Sequence, residues 1–191
     1  MNIDLTSVKV AILVANGFEP DQVSRPREFL RRAGATTMVL SPEKEEVTSL
    51  GSDKESNTLP VDAILEAADE AGFDAMLLPG GQKNVESLAA NPKAMAFVES
   101  FAVAQKPLGA ISDGIKLLIY ANAVAGRRVA AAASIRELSK RAGAEFSEEP
   151  VVVDGSFVTT LGTNSVASFN EAFAQVCSQH KKSTGGSLHT D

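Results

Sequence analysis

A short apolar run near the start of the chain decides the fold class. Residues 8–15 read VKVAILVA, and most of these side chains are aliphatic. Such a run is typical of a strand that is buried on both faces of a parallel sheet. A loop over residues 16–20 leads into a helix predicted over 21–33, and Gly34 suits the end of that helix. The start of the chain therefore predicts a β-α unit.

The same alternation of strands and helices continues along the chain, and residues 151–160 have the pattern of a hairpin. Residues 42–59 fit either a loop or a short hairpin. We expect one domain over residues 1–179, a three-layer α/β/α sandwich with a mostly parallel sheet, and a flexible tail over 180–191. The remaining strands are predicted over 36–40, 74–78, 107–111 and 128–132, and the helices over 61–71, 84–90, 92–105, 113–122, 134–142 and 165–179.

The composition excludes several classes of protein. The 191 residues carry a net charge of −6 without a long basic run, which argues against a nucleic-acid partner. One cysteine and two histidines, both in the last dozen residues, exclude a disulfide framework, an internal Ser-His-Asp triad and a metal site rich in Cys or His. No apolar run approaches the length of a membrane span. We expect a cytoplasmic protein with no membrane partner, metal or cofactor.

Residues 108–114 read LGAISDG, and they carry the candidate chemistry. A buried strand there turns at once into a helix, so Ser112 is predicted to sit in a strained conformation with its side chain in a cleft. The backbone N–H groups of Gly80, Gly81 and Asp113 are the candidate donors of an oxyanion or anion site. The loops 16–19, 79–81 and 112–114 should meet there, at the carboxyl ends of parallel strands.

At these residues the chain resembles the DJ-1/PfpI superfamily, also called the ThiJ/PfpI or intracellular protease I family, and most closely its PfpI-like branch. The resemblance covers roughly residues 8–176 and implies a flavodoxin-like sandwich related to class I glutamine amidotransferases. It also implies a homo-oligomer, a dimer or larger. The segments that carry it are GFE at 17–19, LPGG at 78–81, NPKA at 91–94, KPLGAI at 106–111, SIR at 134–136, AGA at 142–144, VVVDG at 151–155 and FN at 169–170.

Five positions depart from the family pattern around the turn, where the family usually reads Ala-Ile-Cys-His-Gly-Pro. The resemblance identifies Glu19 as the retained family carboxylate, and it predicts a hydrogen bond between Glu19 and Ser112. At the turn, Ser112 stands in place of the nucleophilic cysteine, Asp113 in place of the histidine and Ile115 in place of the proline. Elsewhere, Leu161 stands in place of an arginine, and Ala132 or Ala133 in place of an aromatic residue.

These changes leave two hypotheses about function. A helix N-terminus lowers the pKa of a cysteine enough to give a thiolate at neutral pH, whereas a serine needs a base beside it. The first hypothesis is therefore a non-catalytic, binding or stress-associated family member with a small-molecule ligand in its cleft. The second is a hydrolase, amidase or glyoxalase-like enzyme that uses Ser112 with Glu19 or Asp113 as base. Asp113 also suits an ordinary capping role at its helix start.

Two further features have simpler interpretations. Arg25, Arg27, Arg31 and Arg32 surround one helix, which predicts a solvated or oligomer-contact face. Cys177 is expected to pack as a small apolar side chain near the end of the last helix.

Overall fold

A seven-stranded sheet forms the centre of the molecule in a computed structural model that describes residues 3–51 and 57–185. Eleven strands and six α-helices are described in these residues. The strands are β1 (Lys9–Leu13), β2 (Thr36–Ser41), β3 (Glu46–Thr48), β4 (Thr58–Pro60), β5 (Ala63–Ile64), β6 (Ala75–Leu78), β7 (Leu108–Ile111), β8 (Arg128–Ala130), β9 (Glu145–Ser147), β10 (Val151–Asp154) and β11 (Phe157–Thr160). The helices are α1 (Pro20–Arg32), α2 (Gln82–Ala89), α3 (Pro92–Val103), α4 (Ile115–Tyr120), α5 (Arg136–Arg141) and α6 (Val166–Gly185).

The central sheet has the strand order β10-β11-β7-β6-β1-β2-β5, and every pair in it is parallel except β10–β11. The buried strands β1, β6 and β7 are the apolar runs that the sequence predicts. Because β1, β6, β7 and β11 run in the same direction, the loops that follow them lie at one edge of the sheet. The mostly parallel α/β prediction is confirmed.

Helices cover both faces of the sheet and give it a core on each side. On one face, side chains of α2, α3 and α4 form a cluster that includes Phe97, Phe101 and Leu118. On the other face, α1 and α6 supply Leu30, Phe169 and others. Within the described part of the chain, no helix combines the length and the apolar character that crossing a membrane requires.

The helix predicted over residues 61–71 is wrong. The segment instead forms the short edge strand β5 and two 3-10 turns, over Leu65–Ala67 and Glu70–Gly72. Asp62 explains the difference, because its carboxylate accepts the backbone N–H of Val39 at 2.8 Å and its own N–H donates to the Val39 carbonyl at 2.9 Å. These bonds hold the segment against the sheet edge, where a helix has no place.

Smaller differences concern short elements and one end. Residues 42–59 contain the hairpin β3–β4, although 52–56 lie outside the described residues. Strand β9, which pairs in parallel with β8, is not predicted by the sequence pattern. Helix α6 continues to Gly185, so residues 180–185 are helical where a flexible tail is predicted. Residues 186–191 lie outside the described part.

Replacing Asp62 by alanine should destabilise the fold by about 1–3 kcal/mol, because the Val39 N–H and the Nη2 of Arg27 both lose their acceptor. Urea unfolding followed by circular dichroism measures this. Asp69→Ala is the matched control, because within the described residues the Asp69 carboxylate accepts one exposed N–H, that of Ala71 in its local turn. Its loss should cost at most about 1 kcal/mol. Equal losses for the two variants would contradict the role given to Asp62.

Candidate functional site

The turn after β7 is as sharp as the sequence predicts. Ser112 has a φ of +52°, an uncommon conformation for a residue other than glycine. It opens a 3-10 turn over Ser112–Gly114 that passes directly into α4. A side chain at Gly114 would place its Cβ 2.1 Å from the carbonyl oxygen of Leu78, so the turn lies against the end of β6. This close approach leaves the backbone at residue 112 little choice of conformation.

The three loops expected to meet at this edge do meet. A Cβ at Gly81 would lie 2.2 Å from the Gly17 carbonyl oxygen, and Gly81 itself has a φ of +102°. A Cβ at Gly80 would lie 3.1 Å from the Ile111 carbonyl oxygen and 3.2 Å from the Asp113 nitrogen. The loops around residues 17, 80 and 112 are therefore in direct backbone contact.

Gln22 is one of two residues at this site that the sequence analysis missed. Its side chain is buried, its Oε1 accepts the Gly80 N–H at 2.8 Å, and its Nε2 donates to Thr163 Oγ1 at 3.4 Å. The predicted anion donor at Gly80 is therefore already used within the protein. The backbone N–H groups of Gly81 and Asp113 stay predictions as anion donors. The available signal was the helical spacing that places Gln22 on the buried face of α1 with Val23, Pro26 and Leu30.

A second buried amide, Asn84, fastens two of the loops. Its Oδ1 accepts the Ala15 N–H at 2.7 Å, and its Nδ2 donates to the carbonyl oxygens of Pro79 and Gly80 at 3.0 and 3.1 Å. Asn84 is completely buried. Because a buried amide must find partners for both its oxygen and its nitrogen, these three bonds fix the loops after β1 and β6 relative to each other.

The predicted hydrogen bond between Glu19 and Ser112 is not found in the described part of the chain. Glu19 precedes the first residue of α1 in an extended conformation, and its backbone N–H donates to the Gly80 carbonyl at 3.3 Å. Its side chain is half-buried. Gln22, one helical turn later, is the α1 side chain that reaches the Gly80 backbone. The described contacts therefore give no hydrogen bond between the Glu19 carboxylate and the Ser112 hydroxyl.

Asp113, the other candidate base, forms an ion pair. Its Oδ1 lies 2.6 Å from Lys116 Nζ, and both side chains are about three-quarters buried, at 29% and 26% exposure. The carboxylate oxygen that faces Lys116 is engaged in this contact. The geometry thus gives Asp113 a partner on its own helical turn rather than a role toward Ser112.

Cys177, the single cysteine of the chain, lies in a different chemical environment from the residues of this site. It is buried on the inner face of α6, and burial raises the pKa of its thiol. Its sulfur is therefore the protonated, unreactive form at neutral pH. Among residues 3–51 and 57–185, no group of three or more His, Cys, Asp and Glu side chains is placed to hold a metal ion.

A parallel α/β sandwich with a strained residue at a strand-to-helix turn defines a class of proteins that present a side chain at a nucleophile elbow. The chain belongs within this class to the DJ-1/PfpI family, whose sequence pattern it matches over residues 8–176.

Similar proteins agree with this assignment. Protein/nucleic acid deglycase 2 of Escherichia coli is 33% identical over 86% of this chain and 94% of its own length. General stress protein 18 of Bacillus subtilis is 31% identical over 85% of this chain and 93% of its own length. A solved structure, a variant of a DJ-1 superfamily protein from Salmonella typhimurium, superimposes with a TM-score of 0.78 and 27% identity over 96% of this chain and all of its own.

Gly114→Ala should destabilise the protein by about 3 kcal/mol or more, because its Cβ cannot fit 2.1 Å from the Leu78 carbonyl oxygen. Chemical unfolding measures the change. Gly72→Ala is the matched control, because a Cβ there meets no atom within 4 Å, and we expect a change of at most about 0.5 kcal/mol. Similar stability of the two variants would show that the turn does not lie against β6 as described.

The thiol of Cys177 should not react with Ellman's reagent in the folded protein at pH 8, and it should react in urea. Its raised pKa in the folded state also has a consequence for stability. Above about pH 9 the unfolded thiol ionises and the folded one does not, so the free energy of unfolding should fall as the pH rises. Cys177→Ala should remove that part of the pH dependence. Rapid labelling of the native protein would contradict the burial of Cys177.

Proposed function

We propose that this chain is a DJ-1/PfpI family protein that binds a small molecule beside the turn after β7 and carries out no cysteine chemistry there. One observation carries the proposal. The strained position holds a hydroxyl, and Gln22, the buried side chain that bonds to Gly80 in the neighbouring loop, is a neutral amide rather than a carboxylate. The family thiol reactions, thiohemiacetal formation with glyoxals and oxidation to a sulfinic acid, have no sulfur to act on at Ser112.

The surroundings of Ser112 also argue against a serine nucleophile. A serine hydroxyl becomes reactive when a base accepts its proton, and the base must lie within hydrogen-bond distance. In the described residues neither candidate carboxylate bonds to it: Asp113 pairs with Lys116, and Glu19 lies at the start of α1. The Gly80 N–H, one donor for a negatively charged intermediate, is occupied by Gln22. Both the activation of the Ser112 hydroxyl and the stabilisation of a negatively charged intermediate are therefore weakened.

The names of the relatives suggest the setting in which such a protein would act. One relative is named a deglycase and another a general stress protein. We propose a stress-associated binding role in the cytoplasm for this chain, in which the family fold is kept and the covalent step is lost.

The alternative is a hydrolase, amidase or glyoxalase-like enzyme that uses Ser112. Its support is the positive φ of Ser112, which is the backbone strain that nucleophile elbows share, at the start of a helical segment. The two functions differ in whether turnover depends on the Ser112 hydroxyl.

A panel of methylglyoxal, p-nitrophenyl ester and peptide substrates should give background rates for the wild-type protein and the same rates for Ser112→Ala. Removing one hydroxyl at a half-buried position should leave the fold intact, which circular dichroism checks. Ser165→Ala is a matched control, because it removes another half-buried hydroxyl from the start of a helix. A rate above background that disappears in Ser112→Ala and persists in Ser165→Ala would overturn the proposal and establish the alternative.

Restoring the family chemistry tests the cause of the loss. The triple variant Gln22→Glu/Ser112→Cys/Asp113→His should gain methylglyoxal turnover. The helix start and the imidazole lower the pKa of the new thiol, and the carboxylate at position 22 supplies a proton acceptor. Leaving out Gln22→Glu should lower the gained rate, whereas adding Glu19→Gln to the triple variant should not. The opposite ranking would show that Glu19, not residue 22, is the working position.

A further inference from the structure

A cavity of about 380 Å³ lies beyond the ends of three strands, next to the candidate site. Ala131, Ala132 and Ala133 follow β8, Glu148 follows β9, and Leu161 follows β11. In open α/β sheets, ligands bind beyond the carboxyl ends of strands, and cavities from about 300 Å³ upward hold small molecules. The position and the size of this cavity are therefore those of a ligand site.

The walls of the cavity are mostly apolar. Three consecutive alanines and Leu161 line it together with the ring of Phe146. Alanine side chains are short, so the wall they form leaves space that a larger residue at the same place would occupy. A compact aliphatic group that enters this space would leave water and make contacts on several sides.

Arg136 is the basic side chain in the lining, and it is held in a fixed position. Its guanidinium Cζ lies 4.3 Å from the centre of the Phe146 ring, a stacked arrangement that arginine favours. Its Nη2 lies 2.8 Å from Glu148 Oε1. The Glu148 side chain is 78% exposed, so it contacts Arg136 from the solvent side. Such an exposed ion pair contributes little free energy, and Glu148 can be displaced.

The Nε of Arg136 is a donor without an acceptor. Within the described residues this atom is buried and no hydrogen-bond partner reaches it. A buried N–H that bonds to nothing is unfavourable, and a bound acceptor would recover that free energy. Nε and Nη2 lie side by side on one edge of the guanidinium, and a carboxylate can accept from both at once. Glu148 contacts only Nη2.

We propose that this cavity binds a small organic monocarboxylate with a compact, branched apolar body. The body packs against Ala131–Ala133 and Leu161, and the carboxylate takes the place of Glu148 on the Nε and Nη2 of Arg136. The ligand is bound next to the turn, because Leu161 follows Thr160, the strand partner of Ile111, and Ser112 follows Ile111. This inference rests on the proposed binding function and names its ligand class.

The charge of the lining favours a monocarboxylate over other ligands. It contains one basic and one acidic side chain, Arg136 and Glu148. A phosphate dianion would leave part of its charge uncompensated against a single guanidinium, and an amine would face Arg136 directly. The remaining walls offer contacts suited to a hydrocarbon. One negative charge and a short aliphatic body match all of these features.

Titration with isobutyrate, followed by the amide resonances of the full chain, tests the proposal. We expect shifts centred on Ala131–Ala133, and no saturable shifts with isobutyramide or isopropylammonium. Arg136→Gln should weaken isobutyrate binding about tenfold or more, because it removes charge-assisted hydrogen bonds. Arg128→Gln is the matched control: Arg128 also pairs with an acid, Glu149 at 3.6 Å, but does not line the cavity. Equal binding to both variants, or binding of isobutyramide as tight as that of isobutyrate, overturns the proposal.

Two further variants keep the test decisive if Arg136→Gln perturbs the fold. Glu148→Gln removes an exposed competitor for Arg136 and should tighten isobutyrate binding, whereas Glu149→Gln should not. Ala132→Phe should fill the cavity and abolish binding. Isobutyrate should bind Ser112→Ala as it binds the wild type. If Ser112→Ala abolishes turnover while isobutyrate still binds, the proposed function alone is refuted. If isobutyrate does not bind and Ser112→Ala leaves the rates unchanged, this inference alone is refuted.

Discussion

The close passage of the Ser112–Gly114 turn over the end of β6 is the constraint on which the site depends. The Gly114 backbone lies so near the Leu78 carbonyl oxygen that no side chain fits between them. Because β6 and β7 are paired neighbours, the chain leaving β7 must turn at once, and Ser112 takes the positive φ that the turn requires. The strain therefore belongs to the backbone path. It persists whatever chemical group the residue at position 112 carries.

Neutral amides, rather than charges, hold the loops around this turn. Asn84 joins the loops after β1 and β6 through three hydrogen bonds, and Gln22 connects α1 to Gly80 and Thr163. An amide donates and accepts hydrogen bonds without taking up a proton. It can fasten loops as firmly as a carboxylate, but it cannot act as a general base. Asn84 and Gln22 therefore position the loops, and they cannot also serve the catalytic role that a carboxylate at the same place could serve.

The parts of the fold that could be predicted are those in which a local pattern and tertiary packing agree. The apolar runs of β1, β6 and β7 are buried on both faces, so their sequence alone indicates strands. The segment around Asp62 was misjudged because its side chain bonds to a residue of β2 that is distant in the chain, and such a contact leaves no periodic trace. Strand β9 is three residues long and only partly buried, too short for alternation to be recognised.

The candidate site was predictable in position and less so in composition. The convergence of the three loops follows from parallel strands and glycine pairs, which are visible in the sequence. The contact of Gln22 could have been suspected only by drawing the helical face of α1, where a polar residue lies among Val23, Pro26 and Leu30. Glu19 was assigned because the family resemblance identifies it as the retained carboxylate, whereas the contact that the structure shows for it is a bond from its backbone N–H to the Gly80 carbonyl. The position of a residue on the buried face of α1 therefore indicates this contact, and a family carboxylate does not.

Two of the five departures from the family pattern lie at one place, the cavity beside the turn. The resemblance places an aromatic residue near Ala132 or Ala133 and an arginine at Leu161, and all three positions line the cavity beside the turn. Short apolar side chains there open space next to a strained residue that carries no thiol. A site that forms covalent bonds needs a nucleophile, a base and charge-stabilising donors in contact. A site that holds a small apolar acid needs room, an apolar wall and one fixed cation, and Arg136 stacked on Phe146 supplies that cation. Under the proposed function, the substitutions that take away the nucleophile are accompanied by ones that leave this room.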